Sequence, residues 1–91
     1  MAITVTLPAV LARLADGNKS LHADGATVGD VVESLSQRFP SLAPRIRDDA
    51  GKPYPFVVYY LNDEDIRLGD GFDSRVTDGD EVTLVPSIAG G

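Results

Sequence analysis

Thr27-Val28-Gly29-Asp30-Val31-Val32-Glu33-Ser34-Leu35-Ser36-Gln37-Arg38-Phe39-Pro40 is the stretch that decides the fold. Thr27 is a good N-cap, and Asp30 three residues on makes a shortened capping box. Val28, Val31, Val32, Leu35 and Phe39 recur at helical spacing. Pro40 stops the pattern. Around this one clear helix the chain alternates as strands do. Ile3, Val5 and Leu7 are interleaved with Thr4 and Thr6, a half-buried strand that Pro8 ends. Pro8 to Leu14 reads as one irregular or helical turn. Asp16-Gly17-Asn18 is turn chemistry, and Lys19 to Ala23 reads as a second strand, paired with the first as a hairpin with a long connection. Ser41 to Arg47 holds a second short helical turn, and residues 48–53 form a polar loop. Phe56-Val57-Val58-Tyr59-Tyr60-Leu61 is rich in β-branched and aromatic residues. Asn62-Asp63-Glu64-Asp65 turns the chain into a short strand at Ile66-Arg67. A loop with Gly69, Gly71 and Gly79 follows. Glu81 to Val85 is the last strand, with Val82 and Leu84 inward. One main helix on a mixed sheet of four to five strands is α+β. The first and last strands, both apolar, are expected to be neighbours.

The chain has 91 residues, enough for one core and one domain, 1–91, with a flexible tail expected over 86–91. Fourteen acids against eight bases give a formal charge of −6. That argues against nucleic acid, which asks for a basic footprint, and favours encounter with basic protein surfaces. There is no cysteine, so disulfides and thiolate chemistry are excluded. Met1-Ala2-Ile3-Thr4-Val5 lacks the basic and apolar regions of a signal peptide. No apolar run approaches the ~20 residues of a membrane span. A cytoplasmic location without membrane attachment is expected.

The last strand runs into a short tail, Pro86-Ser87-Ile88-Ala89-Gly90-Gly91. Glycine has no Cβ, so a diglycine backbone can thread a narrow channel. Ser87, Ile88, Ala89 and Gly90 are the threading residues, and Gly91 presents a carboxylate for an enzyme to modify. Frayed termini are also rich in small residues; the strand before this one favours function. Ordering such a tail costs ~1–2 kcal/mol per residue, so the body must help it dock. If Val57, Tyr59 and Leu61 face the helix, then Phe56, Val58, Tyr60 and Val85 form an apolar partner-binding face beside Thr4, Thr6 and Thr83. A slip of one residue would invert that assignment.

Other constellations fail. His22 is the only histidine, so neither a catalytic triad nor a multi-histidine metal site exists. Asp63-Glu64-Asp65 is not a calcium loop, because Leu68 stands where the EF-hand needs glycine. Asp70, Asp73, Asp78 and Asp80 lack a regular ligand spacing and read as turn residues. No phosphate-binding Gly-x-x-x-x-Gly-Lys and no Gly-x-Ser-x-Gly elbow occurs.

Taken together, the strand order, Ala26-Thr27-Val28-Gly29-Asp30-Val31-Val32 at the helix start, Leu61-Asn62-Asp63-Glu64-Asp65-Ile66-Arg67, and Asp78-Gly79-Asp80-Glu81-Val82 leading to Pro86-Ser87-Ile88-Ala89-Gly90-Gly91 resemble the MoaD/ThiS group of ubiquitin-like sulfur carriers. Within the group the Asn62–Asp65 run and the Ala89-Gly90-Gly91 end are most similar to CysO-type carriers. The resemblance implies a β-grasp fold and no catalysis by the chain itself. It implies that a MoeB/ThiF-like activating enzyme adenylates Gly91 with ATP and magnesium, and that sulfur then displaces AMP to leave a thiocarboxylate. No cofactor or metal is bound by the carrier. The acceptor is implied to be a cysteine synthase-like enzyme, with a metal-dependent protease releasing product; other branches serve molybdopterin or thiazole synthesis. Two alternatives stay open: a ubiquitin-like modifier joined through Gly91 to target lysines, and a plain β-grasp interaction domain.

Overall fold

The structure is a computed structural model that describes residues 2–48 and 57–86. Its organising feature is alternation. Strand β1 (Ile3–Thr6) buries Ile3 and Val5 and leaves Thr4 and Thr6 half-buried, as period-two patterning requires. Strand β2 (Ser20–Ala23) runs antiparallel to it, with Val5 opposite Leu21. It starts one residue later than predicted, although the Lys19 carbonyl still accepts from the Leu7 N–H at 2.8 Å. Between them lie helix α1 (Ala9–Ala12) and a 3-10 turn at Arg13–Ala15. Strand β3 (Val57–Leu61), the two-residue strand β4 (Glu64–Asp65) and strand β5 (Glu81–Pro86) complete a mixed sheet in the order β2-β1-β5-β3-β4. As expected, β1 and β5 are neighbours, and they are parallel, with Thr6 opposite Thr83.

Helix α2 (Val28–Arg38) covers one face of the sheet. The Thr27 hydroxyl accepts from the Asp30 N–H at 3.1 Å. Asp30 accepts in return from the N–H of Ala26, not that of Thr27, so the reciprocal bond of the capping box is displaced by one residue. Val28, Val31, Val32 and Leu35 are buried to within about one per cent, each contributing roughly 1.5–3 kcal/mol. Gly29 sits where a Cβ would lie 3.1 Å from the Phe72 carbonyl oxygen, so the absent side chain lets the helix approach the 3-10 turn at Gly71–Asp73. A short helix α3 (Ala43–Ile46) follows. The Arg47 guanidinium ties this region to α2, with Nε 3.5 Å from the Glu33 carboxylate and 3.2 Å from Ser36 Oγ.

Tyr59 is the largest fully buried side chain, at 1% exposure. Its ring meets Phe72 edge-on at 5.1 Å, and its hydroxyl donates to the Ile46 carbonyl. Burial pushes the phenol pKa far above its ordinary range, against a smaller opposing pull from Arg47.

Besides the start of β2, two boundaries differ from the sequence expectation. The short strand is Glu64–Asp65; Ile66 and Arg67 instead enter a 3-10 turn (Ile66–Leu68). The reason is local: Asn62 and Asp63 both have positive φ, 50° and 74°, the signature of a two-residue type I′ hairpin, so pairing resumes at once. Asp65 Oδ1 then accepts from the Arg67 N–H at 2.9 Å and caps the next turn. The last strand reaches Pro86, which pairs with Val57, whereas the tail was expected to start there. Among the described residues no helix is long and apolar enough to cross a membrane.

Candidate functional site

Because β3 and β5 are antiparallel, their outward side chains fall in register. Val58 stands opposite Val85, and Tyr60 opposite Thr83. Thr83 in turn faces Thr6 of β1. Val57 and Tyr59 are buried on the helix side, and Leu61 packs partly against the same core. The inward and outward assignment of β3 therefore holds. Val85 is 38% exposed, and Val58 and Tyr60 are half-buried. Phe56, the remaining member of the expected partner face, lies outside the described residues, as do the tail residues Ser87, Ile88, Ala89, Gly90 and Gly91. The structure thus brings Val58, Tyr60 and Val85 onto one face.

The start of β5 is fixed by hydrogen bonds that converge on Asn62, Asp78 and Asp80. Asn62 accepts from the Glu81 N–H at 2.9 Å through its side-chain oxygen and donates through Nδ2 to Asp80 at 3.0 Å. Asp80 also accepts from the Thr77 N–H at 2.8 Å. These bonds, from the Thr77 backbone first and Asn62 second, hold the Asp80 carboxyl below the usual carboxylate range. Asp78 accepts from the Ala2 N–H at 2.8 Å and so fastens β1 to the turn before β5. Gly79, with φ at 91°, supplies the left-handed step that turn needs. These acids are structural, as their irregular spacing suggests. Among the described residues no group of three or more His, Asp or Glu side chains could hold a metal ion.

One feature of this face is absent from the sequence expectation. Tyr60 pairs across the ladder with Asp65, and Asp65 grips the Arg67 guanidinium, with Arg67 Nη2 to Asp65 Oδ2 at 2.6 Å and Nε to Oδ1 at 3.1 Å. The Arg67 hydrogen bonds lower the Asp65 pKa. The available signal was Asp65 two residues ahead of Arg67, since an aspartate side chain bonds the backbone two residues on and caps the turn that follows. Of the remaining expectations, His22 is exposed in β2, as a lone surface histidine would be.

Comparison with known proteins places this geometry in a family. The model described as "ThiS family" matches residues 5–91. The sulfur carrier protein CysO of Mycobacterium tuberculosis (strain H37Rv) is 39% identical over 93 residues, covering the whole of both chains. Small archaeal modifier protein 3 of Haloferax volcanii is 38% identical over 78 residues, 82% of this chain and 84% of its own. Among solved structures, a chain of the Amycolatopsis orientalis BexX/CysO complex superposes with a TM-score of 0.89 at 37% identity, covering 99% of this chain and all of that one.

Proposed function

The chain belongs to the ThiS family, a group of ubiquitin-like β-grasp proteins, and from that premise we propose that it is a sulfur carrier whose Gly91 carries the sulfur as a thiocarboxylate. The observation that carries the reading is the full-length likeness to a protein named as a sulfur carrier, joined to the Ala89-Gly90-Gly91 sequence. The chemistry explains the residue types. A carboxylate resists nucleophiles, so an activating enzyme, MoeB/ThiF-like in this proposal, first joins it to AMP. The Gly91 carboxylate oxygen attacks the α-phosphorus of magnesium-bound ATP and pyrophosphate leaves. Sulfide, or a persulfide on a donor protein with a reductant, then attacks the acyl carbon, the C–O bond breaks and AMP departs. The carrier supplies no acid or base; it positions the acyl group.

Sulfur then passes to an acceptor enzyme. A cysteine synthase-like acceptor suits the CysO likeness, with a metal-dependent protease freeing the product, all within the cytoplasm. Val58, Tyr60 and Val85, with Phe56, form the face that meets these enzymes. A second reading, conjugation of Gly91 to lysines of target proteins, is favoured by the likeness to an archaeal modifier.

Intact-mass measurement of the chain from its native cells, without harsh reductants or alkylation, separates the two. A species heavier by the sulfur–oxygen difference, mapped to the fragment ending in Gly91, is expected. Free acid alongside lysine-branched conjugates would move the assignment to the modifier. Free acid unchanged after ATP, sulfide and an activating enzyme are supplied would refute both.

A further inference from the structure

Three arginines of this acidic chain are engaged by other residues of the chain. Arg47 meets Glu33, Arg67 meets Asp65, and Arg38 donates to the His22 carbonyl while lying over Phe39. Arg13, Lys19, Arg45 and Arg75 are exposed and have no carboxylate partner among the described residues. Three of them, Arg13, Lys19 and Arg45, gather at one place. A groove of about 440 Å³ is lined by Val10, Leu11, Arg13, Leu14 and Arg45, and an adjoining one adds Lys19. Val10, half exposed, is one of the few large apolar side chains open to solvent. Among the described residues, neither groove is lined by an acidic one.

The topology gives this groove its position. Strand β1 runs parallel to β5, and α1 begins just after β1 ends. The groove therefore sits at the end of the sheet toward which β5 runs, the end from which residues 87–91 continue. An enzyme that engages Gly91 must approach that end.

We propose that the α1–α3 groove docks an acidic segment, carrying an apolar side chain, of the activating enzyme that engages Gly91, and that Arg13 and Arg45 select for it. The inference rests on the carrier reading above. Its chemistry follows from the lining: Val10, Leu11 and Leu14 offer an apolar floor that a bare anion would not use, and the flanking cations match carboxylates. Nucleic acid is disfavoured by the net charge of −6, which repels a polyanion overall.

The test is ATP–pyrophosphate exchange by the cognate activating enzyme, with the full-length carrier varied in concentration at low and high salt. In Arg13→Glu/Arg45→Glu the KM for carrier should rise at least about tenfold with kcat unchanged, because like charges then face each other. The wild-type KM should climb with salt and the variant's should not. Val10→Ser, at an exposed site, should raise KM with the salt dependence intact, and it serves if the double variant fails to fold. An unchanged KM in a folded double variant, or a fall in kcat alone, overturns the inference and leaves the carrier reading standing. No exchange with wild-type carrier overturns the carrier reading, and the inference falls with it. A wild-type dimer that the double variant abolishes, with unchanged kinetics, assigns the groove to a second copy instead.

Discussion

Replacing Tyr59 by phenylalanine removes one oxygen from the centre of the molecule, and its effect depends on pH in a calculable way. The ring stays, so the edge-on contact with Phe72 and the apolar burial are retained. What goes is the hydroxyl that donates to the Ile46 carbonyl, at the end of α3. A buried carbonyl left without a partner costs about 1–3 kcal/mol. For a domain of this size that is a fall in Tm of roughly 4–8 °C per kcal/mol. The pH dependence has a definite sign. Tyr59 has a folded-state pKa far above the value near 10 that an unfolded tyrosine shows. Below that value both states are protonated and the contribution to stability is complete. As pH rises past it, the unfolded chain gives up its proton and the native one does not, so wild-type stability falls by about 1.4 kcal/mol per pH unit from this group. Phenylalanine cannot titrate. The gap between wild type and Tyr59→Phe should therefore be widest near neutrality and narrow from pH 10 upward. Urea unfolding of both proteins from pH 7 to 11 measures it. A gap that stays constant over that range would refute the account of a buried, neutral phenol.

The cap and the open face give further tests. Thr27→Ala removes the bond to the Asp30 N–H and should cost about 1 kcal/mol, with Thr27→Ser restoring most of it, as read by thermal unfolding. On the outward side of β3, Val58→Asp and Tyr60→Ala should weaken binding to the activating enzyme by about tenfold or more, or ~1.4 kcal/mol, without lowering Tm appreciably. Titration calorimetry paired with circular dichroism decides this, and unfolding of both variants would count against the assigned face.

The strands were legible because their patterning is unambiguous. Ile3, Val5, Val82 and Leu84 alternate with polar residues, and a one-residue slip would have exposed all four. The helix was legible for the same kind of reason, down to the capping role of Thr27. What stayed hidden was decided by contacts between distant segments. Asn62 looks like a turn residue, and its two side-chain bonds to residues 80 and 81 depend on where β5 begins. The basic groove joins Arg13 and Lys19 near the start of the chain to Arg45 in α3, a juxtaposition no local pattern announces. Pro86 was assigned to the tail because proline usually ends a ladder. It nonetheless pairs with Val57 at the end of β5, where the missing N–H falls on the last rung of the strand.

That boundary bears on how the chain would serve a partner. β5 is a central strand, paired with β1 through Thr83 and with β3 to Pro86. A segment leaving an edge strand would share that edge's tendency to fray; one leaving a central strand starts from a fixed origin. From Pro86 the five residues to Gly91 can span at most about 18 Å. An enzyme acting on the Gly91 carboxyl must therefore bring its catalytic atoms within that distance of the sheet end, close enough to contact the body as well. Val85 immediately precedes Pro86 and pairs with Val58, and the Arg13–Arg45 groove follows the parallel strand β1 at the same end of the sheet. Recognition of the body and access to the carboxyl are then a single geometric event. Lengthening the tail would uncouple them, because the added residues increase the conformations to be ordered while the body contacts no longer constrain where the carboxyl goes.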